Sequence, residues 1–303
     1  MKTVNDFNFA NKRALMRVDF NVPLNDAFEI TDDTRIKAVI PTISKILKDG
    51  GKVVIMSHLG RPKNGPEEKY SLKHLVSHLS NVFDREVKFA QDCIGAETEA
   101  LSNSLAAGEI LLLENLRFYK EETEGDLDFA KSLSNNGDIY VNDAFGTAHR
   151  AHASTSIVAQ FFNDKCCGFV MQAELDNAQK VLAKAERPYT AIMGGAKISD
   201  KILIIEQLLN KVDNLIIGGG MSYTFFKALG GSIGNSLCED EKLDLAKSLI
   251  TKAKEAGVNL MLPIDSVIAD AFSNDANTEI AMNHAIKDGW MGLDIGPQAA
   301  QVF

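Results

Sequence analysis

Basic side chains recur at the ends of short apolar runs in the first half of the chain. His58 and Arg61 stand at the end of one run, Arg117 follows another and Arg150 a third, while Arg35 comes shortly after the earliest run, 14–20. In parallel α/β sheets ligands bind at the carboxyl ends of the strands, so we expect these side chains to converge. Clustered guanidinium groups need anions to offset desolvation and repulsion, and their forks match phosphate and carboxylate. The pattern predicts a pocket for a small, multiply anionic ligand.

Each of these residues also has a simpler interpretation. A single arginine is more often a solvated surface charge, and only the repeated placement at strand ends favours a pocket. Asp19 could orient Arg35 through an ion pair or accept a ligand hydroxyl, but it could also only close a turn with Asn21. His149 and His152 lie near Asp143, where structural hydrogen bonding is favoured over a metal site.

Glycines and lysines characterise the second half. The run Gly194-Gly195-Ala196-Lys197 leads through Lys201 into a helical pattern, where glycine backbone and a helix N-terminus could bind phosphate. A second cluster, 218–220, follows the next apolar run. Either cluster alone is a weak signal, because tight turns explain most glycine pairs. Neither matches the P-loop spacing or the full dinucleotide-binding glycine pattern.

Short apolar runs alternate with helical patterns along the whole chain, which is typical of an α/β protein with a mainly parallel sheet. Residues 71–83 have helical spacing, with Ser71 as a possible cap. The predicted strands are 14–20, 53–58, 87–90, 110–114, 139–142, 190–193, 215–217 and 260–263.

A chain of 303 residues is long enough for two domains. The segment 169–187 carries one apolar stripe and is either a helix joining two α/β units or one more crossover helix. We expect a first domain at 1–169, a connecting helix at 170–187 and a second domain at 188–303.

Bulk properties exclude several classes of protein. The net charge of −9 argues against non-specific nucleic-acid binding. Four cysteines without regular spacing favour reduced thiols. No apolar run approaches the ~20 residues that span a bilayer, and the N-terminus does not resemble a signal peptide. These features predict a soluble, cytoplasmic protein that does not bind membranes.

Several sequence strings resemble the phosphoglycerate kinase family, in the family's usual order and from one end of the chain to the other. The strings are RVDFNVP, SHLGRP, ENLRF, NDAFGTAHRAHAS, GGAKISDKI, GGGMSYTF, LPID and DGWMGLDIGP. The resemblance implies two Rossmann-like domains, each a mainly parallel sheet flanked by helices, joined by an interdomain helix. It implies reversible phosphoryl transfer from 1,3-bisphosphoglycerate to ADP, giving 3-phosphoglycerate and ATP in glycolysis.

The resemblance also assigns site residues. Arg35 would face the transferring group and Lys197 would follow the phosphoryl group, while Lys201 would hold nucleotide phosphate. The substrate would be bound by Asp19, Asn21, Arg35, His58, Leu59, Gly60, Arg61, Arg117 and Arg150. The nucleotide cleft would be lined by Gly195, Ala196, Gly218, Gly219 and Gly292. Transfer between pockets on separate domains implies hinge-bending closure.

The sequence departs from the family pattern after residue 297. Two strings of the family, W-N-G-P-M-G-V-F-E and G-G-G-D-[ST], do not occur, and with them go the expected ribose-binding Glu and the Mg²⁺-ligating Asp. The nucleotide would still bring Mg²⁺, but no metal ligand is assigned in this chain. We therefore expect a C-terminally truncated kinase with an incomplete second sheet.

Two alternatives to an active kinase stay open at this point. A nicotinamide-dependent oxidoreductase could use 218–220 as its phosphate turn, although the glycine pattern is incomplete. A non-catalytic interpretation, in which these 303 residues bind phosphoglycerate but turn over little or nothing, is our expectation for the chain as it stands. The expected partners are small molecules only, and the expected state is a monomer.

Overall fold

The computed structural model describes residues 1–63, 65–183 and 185–303. The chain divides into two compact units, Met1–Ala178 and Gln179–Phe303. The division falls inside a helix, Phe169–Ala183, at the segment for which the sequence predicted a connecting helix. Lys184, which belongs to that prediction, lies outside the described residues. Among the residues described, no helix is both long and apolar enough to cross a membrane.

The first unit is built on a six-stranded sheet in which every pair of neighbours is parallel. The spatial order is β3-β4-β2-β1-β5-β6. Its strands are β1 (Arg13–Arg17), β2 (Lys52–Met56), β3 (Val87–Phe89), β4 (Ile110–Leu112), β5 (Ile139–Asn142) and β6 (Lys165–Cys167). The mainly parallel α/β class predicted from the sequence is confirmed here.

Both faces of this sheet are covered, which explains why its strands are continuous apolar runs. Successive side chains of a strand point to opposite faces, so Met16 packs into one core layer and Leu15 into the other. The covering helices are α1 (Thr34–Ala38), α2 (Ile40–Lys48), α3 (Val76–Phe83), α4 (Ala96–Ser104), α5 (Lys120–Glu124), α6 (Leu127–Ser134), α7 (Phe145–Ala148) and α8 (Phe169–Ala183).

Local details differ from the sequence prediction at a few positions. Strand β1 ends at Arg17, not at residue 20, because the Phe20 N–H leaves the ladder to donate to Ser57 Oγ at 2.8 Å. Ser71 does cap the predicted helix, accepting from the Lys73 N–H at 3.2 Å, although the first turn is a 3-10 turn. Strand β6 was not predicted, since its sequence Lys-Cys-Cys has none of the β-branched or aromatic residues typical of strands.

The second unit contains a parallel three-stranded sheet and a separate antiparallel one. The parallel sheet has the order β10-β8-β7 and packs on helices α9 (Ile202–Leu209), α10 (Met221–Ala228) and α11 (Leu243–Glu255). Its strands are β7 (Thr190–Met193), β8 (Asn214–Ile217) and β10 (Asn259–Met261), and β9 (Ser232–Ile233) lies between β8 and β10 in the chain.

The antiparallel sheet was not predicted from the sequence. It has the order β12-β11-β14, with a register shift between Val267 and Ile268. Its elements are β11 (Asp265–Ala269), β12 (Thr278–Met282) and β14 (Met291–Ile295), followed by α12 (Pro297–Val302); β13 (Ala285–Ile286) pairs with β9. The outer strand β12 is largely exposed, so its residues lack the apolar run by which the buried strands were recognised.

Candidate functional site

The loop after β1 contributes two residues that the sequence assigned to the substrate pocket. Asp19 Oδ2 accepts from Arg35 Nη1 at 2.7 Å, so the ion pair considered from the sequence is present. Asn21 Oδ1 accepts from the Gly60 N–H at 2.8 Å, which ties the loop after β1 to the loop after β2. Neighbouring strands β1 and β2 are parallel, so these loops leave the same edge of the sheet.

Gly60 is the point where three loops meet. Its φ is +63°, and a Cβ there would overlap the Tyr70 ring, so only glycine fits this turn. Its carbonyl accepts from Arg117 Nη1 at 2.8 Å. The preceding carbonyl, that of Leu59, accepts from Asn115 Nδ2 at 2.8 Å. The loop after β4 is thereby fixed to the loop after β2.

Three of the predicted arginines line one cleft of about 740 Å³. Arg61, Arg117 and Arg150 come from the loops after β2, β4 and β5, and His152 lies with them. Burial, with Arg17 and Arg150 close by, lowers the pKa of Arg117. The arrangement concentrates positive charge at one edge of the sheet in a chain whose net charge is −9.

Apart from the buried His58, the remaining predicted substrate residues line two neighbouring hollows. Asp19 and Arg35 border one, and Asn21, Leu59 and Gly60 border the other. The two hollows are adjacent, because the Asn21 N–H of one donates to Asp19 Oδ1 of the other at 3.3 Å. The structure therefore brings the predicted residues together at one edge, but distributes them over adjacent hollows where the sequence predicted one pocket.

His58 lies at the centre of this basic edge and is 3% exposed. Burial is the largest influence on its ring, followed by the positive charges of Arg17, Arg117, Arg150 and Arg35. Together they lower the pKa of His58 from its ordinary 6.5 to about 2. The ring is neutral at every physiological pH.

Sequence reasoning missed two buried charges beneath the site. Arg17 is 1% exposed, and its Nε donates to Ser154 Oγ at 2.9 Å. Glu122 is equally buried and accepts from both the N–H and the hydroxyl of Ser154. The one available signal was an arginine inside the apolar run that forms β1, where a charge needs partners.

The two histidines near Asp143 make hydrogen bonds or polar contacts. Arg150 Nε donates to His149 Nε2 at 3.4 Å, and His152 Nδ1 lies 3.9 Å from Glu122 Oε1. Asp143 itself accepts from Thr42 Oγ1 at 2.6 Å and from the Met171 N–H at 3.0 Å. It thereby fastens the start of α8 to the end of β5.

In the second unit the two glycine clusters lie against each other. They follow the adjacent strands β7 and β8, and the Met221 N–H donates to the Gly195 carbonyl at 2.8 Å. A Cβ on Gly219 would lie 2.9 Å from Gly195 N, and one on Gly195 would lie 2.8 Å from Lys201 Cε. Lys201 therefore packs over Gly195, and bulkier residues would push the two turns apart.

Glu239 occupies backbone donors at the 3-10 turn Ser199–Lys201, which leads into α9 and which the sequence pattern had left free for phosphate. Its carboxylate accepts from the N–H groups of Ile198 at 2.7 Å and Ser199 at 3.1 Å, and from Ser199 Oγ at 2.5 Å. Desolvation alone would raise the pKa of Glu239. These hydrogen bonds and the nearby charge of Lys197 outweigh it, so the pKa lies below its ordinary value. A phosphate would therefore meet the turns at 194–196 and 218–220 and the lysines, not this helix start.

Gly292 lies on β14, outside both glycine turns, and packs on α10. A Cβ there would overlap the hydroxyl of Tyr223, which is itself 2.9 Å from Ser266 Oγ. Tyr223 stands in the first turn of α10, directly after the second glycine cluster. The predicted nucleotide residues therefore lie in or against the two glycine turns and α10. Gly195, Ala196, Gly218 and Gly219 belong to the turns, Lys201 packs over Gly195, and Gly292 packs on Tyr223.

Among the described residues, no group of three or more His, Cys, Asp or Glu side chains is arranged to hold a metal ion. Mg²⁺ bound with nucleotides generally takes only one or two carboxylates together with phosphate oxygens and water. The described residues therefore do not form a magnesium site by themselves.

Comparisons with known proteins converge on one family. The family model described as phosphoglycerate kinase matches residues 4–303. A phosphoglycerate kinase of Porphyromonas gingivalis is 51% identical over 99% of this chain and 78% of its own length. A cytosolic phosphoglycerate kinase of Triticum aestivum is 54% identical over 99% of this chain and 75% of its own length.

Solved structures give the same result. The phosphoglycerate kinase of Coxiella burnetii has a TM-score of 0.84 at 39% identity, covering 99% of this chain and 75% of its own. That of Pyrococcus horikoshii has a TM-score of 0.79 at 30% identity, covering 100% of this chain and 77% of its own.

Proposed function

The chain belongs to the phosphoglycerate kinase family, and we propose that its first unit binds phosphoglycerate while its second unit binds the nucleotide. The family's enzymes are glycolytic phosphotransferases, which excludes the nicotinamide-dependent alternative. Reversible transfer between 1,3-bisphosphoglycerate and ADP gives 3-phosphoglycerate and ATP. The side chains proposed to bind the substrates and to promote the transfer come from both units.

The observation that carries the proposal is the cleft shared by Arg61, Arg117 and Arg150. Three guanidinium groups from three different strand ends supply many donors in a fixed geometry. A ligand with a phosphate and a carboxylate, such as 3-phosphoglycerate, offers the matching acceptors and offsets the repulsion among the arginines. His58, Asn21 and Asp19, on the adjoining loops, would contact the rest of this small molecule.

Arg35 and Lys197 are the proposed catalytic residues. Phosphoryl transfer depends on in-line positioning and neutralisation of charge, so no protein nucleophile is required. Arg35 is held by Asp19 with its side chain still half-exposed, which leaves guanidinium donors for the transferring group. Lys197 would follow the phosphoryl group, and Lys201 with Gly195, Ala196, Gly218, Gly219 and Gly292 would hold the nucleotide.

Mg²⁺ would enter with ATP or ADP, where it neutralises phosphate charge, and no residue of this chain is assigned to it. The proposal also includes hinge-bending, a monomeric state and a cytoplasmic location.

Calorimetric titration with 3-phosphoglycerate at low salt tests the substrate site. We expect saturable binding that Arg61→Ala weakens by about tenfold or more, since a hydrogen bond to a charged group contributes roughly 1.5–3 kcal/mol. Arg85→Ala is the matched control, because Arg85 is an exposed arginine of the same unit outside the cleft. Equal affinities for the Arg61 and Arg85 variants would refute the assignment of the cleft.

A further inference from the structure

Arg17 ends strand β1 and holds a buried positive charge that the proposed reaction does not use directly. Its guanidinium reaches three partners: Ser154 Oγ at 2.9 Å, the Val18 carbonyl, and His58 Nδ1 at 3.1 Å. Burial lowers the pKa of Arg17, yet an arginine keeps its proton in proteins. The contact with His58 therefore places a permanent donor against one nitrogen of a substrate-site ring.

The direction of the Arg17–His58 hydrogen bond follows from the chemistry of the two groups. A guanidinium has donors and no acceptor, so His58 Nδ1 must accept. Nδ1 can accept only when it carries no proton. A neutral ring then carries its single proton on Nε2.

The direction of the bonds beneath Arg17 agrees with this assignment. Ser154 has one hydroxyl proton, which it gives to Glu122 Oε1 at 2.6 Å, so its lone pairs are left to accept from Arg17 Nε. Glu122 Oε2 also accepts from the Ser154 N–H at 2.9 Å, which fixes the serine backbone. The hydrogen bonds thus diverge from Arg17, which donates on one side to Ser154, itself a donor to Glu122, and on the other side to His58 Nδ1.

The groups around the ring oppose a second proton. Arg17 on β1, Arg35 on α1, Arg117 after β4 and Arg150 after α7 all add positive charge. Asp19 Oδ1 is the nearest carboxylate, 3.9 Å from Nδ1, but Asp19 is already paired with Arg35. Glu122 acts on the far side of Arg17, through Ser154.

We propose that the chain Glu122–Ser154–Arg17 fixes His58 as the neutral ring protonated on Nε2. Among the described residues Nε2 has no hydrogen-bond partner, so its N–H is available to a ligand oxygen. His58 then serves the site as an uncharged donor amid charged ones, suited to a carboxylate or hydroxyl oxygen of phosphoglycerate. Arg17 is a positioning residue that acts through His58, and the identity of the ligand rests on the proposed function.

Long-range proton–nitrogen correlation spectra of ¹⁵N-histidine-labelled protein test the assignment directly. The His58 signals are identified by their loss in His58→Gln. We expect the pattern of a neutral ring with the proton on Nε2, unchanged between about pH 5 and pH 8, the range in which an ordinary histidine changes charge. A proton on Nδ1, or a doubly protonated ring within that range, would overturn the inference.

Variants of the chain test whether it is the cause. Arg17→Met removes the donor, and Ser154→Ala removes the link to Glu122 while sparing the arginine. In both we expect His58 to lose the single-tautomer pattern, and with it about tenfold in affinity for 3-phosphoglycerate. Loss of Arg17 should also move the pKa of His58 upward, since one of its positive neighbours is gone.

Arg13→Met is the matched control. Arg13 stands at the other end of β1 and pairs with Asp138 at 2.9 Å, so its loss costs stability without touching the His58 ring. We expect an unchanged His58 spectrum in this control. If His58 keeps the Nε2–H pattern in both Arg17→Met and Ser154→Ala, the chain does not set the tautomer and the inference is wrong. If Arg17→Met does not fold, Ser154→Ala and the wild-type spectrum decide.

The same experiments distinguish a failure of the proposed function from a failure of the inference about His58. The spectra are recorded without ligand, so they report the tautomer whether or not phosphoglycerate binds. A confirmed tautomer that responds to both variants, in a protein that does not bind 3-phosphoglycerate, would support the positioning chain and remove the substrate assignment. The reverse result, binding with a charged or Nδ1-protonated ring, would remove the positioning chain alone.

Discussion

His58 shows how a single buried ring links the site to the stability of the fold. Its pKa of about 2 lies below the 6.5 of an ordinary histidine. At a pH between these two pKa values the ring is protonated in the unfolded chain and neutral in the folded chain, so acid favours unfolding. The contribution of His58 to the stability of the folded state is complete above about pH 6.5 and falls as the pH drops below it.

We expect His58→Gln to flatten the acid dependence of stability in the first unit. Each pH unit below about 6.5 costs the wild type about 1.4 kcal/mol through this residue, or about 2 kcal/mol between pH 6.5 and pH 5. The measurement is the unfolding free energy of the first sheet from urea-dependent hydrogen exchange at about pH 7 and pH 5. His149→Gln, which alters an exposed ring of the same unit, is the control. An acid dependence in His58→Gln equal to that of the wild type would contradict the prediction.

At the scale of elements, the turn after β2 depends on a glycine. Gly60 has a positive φ and faces the Tyr70 ring, while its carbonyl holds Arg117. A side chain there meets two costs, backbone strain and a steric clash. Both would be transmitted to the loops after β1 and β4, because each is hydrogen-bonded to Gly60.

We expect Gly60→Ala to lower the free energy of unfolding by about 2–4 kcal/mol and to weaken 3-phosphoglycerate binding. Gly50→Ala is the control, since Gly50 has a similar φ of +81° and no heavy atom lies within 4 Å of the position that an alanine methyl would take. Gly50→Ala introduces backbone strain but no steric clash, so we expect it to lower the free energy of unfolding by about 1 kcal/mol. Equal losses in the two variants, measured by denaturant unfolding, would show that Tyr70 moves aside freely.

The loop between β7 and α9 depends on one carboxylate. Glu239 binds the backbone of Ile198 and Ser199 and so fixes the segment that carries Lys197. Its lowered pKa means that the stabilisation is present above the unfolded value near 4.5 and is lost as pH falls through the folded value.

We expect Glu239→Gln to destabilise the second unit by about 1–2 kcal/mol and to weaken Mg·ADP binding several-fold. The amide keeps the shape of the side chain but replaces one acceptor oxygen with a donor. Glu241→Gln, two residues further along and exposed, is the control. Thermal unfolding and calorimetric titration measure the two effects, and identical behaviour of both variants would argue against a role for Glu239 in the loop.

At the scale of the whole molecule, the proposed function assigns one ligand to each of the two units. A ligand that binds only the folded state stabilises it by about 2.7 kcal/mol at a hundred times its Kd. We expect 3-phosphoglycerate to slow hydrogen exchange in the loops at 19–21, 57–62 and 114–118, and Mg·ADP to slow it at 194–201 and 218–220.

Hydrogen exchange read by mass spectrometry resolves these segments. Arg61→Ala should remove the protection given by 3-phosphoglycerate and leave that given by Mg·ADP unchanged. Protection of the second unit's glycine turns by 3-phosphoglycerate would contradict the assignment of ligands to units.

The sequence alone determined the features that depend on local pattern. Apolar runs identified most strands of the two parallel sheets, because strands buried on both faces have no polar alternation to obscure them. Strand-end placement identified Arg61, Arg117 and Arg150 as neighbours, since parallel strands end at one edge. The motif strings identified the family, which the comparisons confirmed.

Only the tertiary structure decided the features that depend on which groups share a buried space. Arg17, Ser154 and Glu122 are far apart in the chain and meet beneath the site, so no local pattern connects them. The carboxylate of Glu239 reaches back about 40 residues to donors that the sequence left to phosphate. A buried polar group must find its partner wherever the fold brings one, and that partner is set by packing across the sheet, not by spacing along the chain.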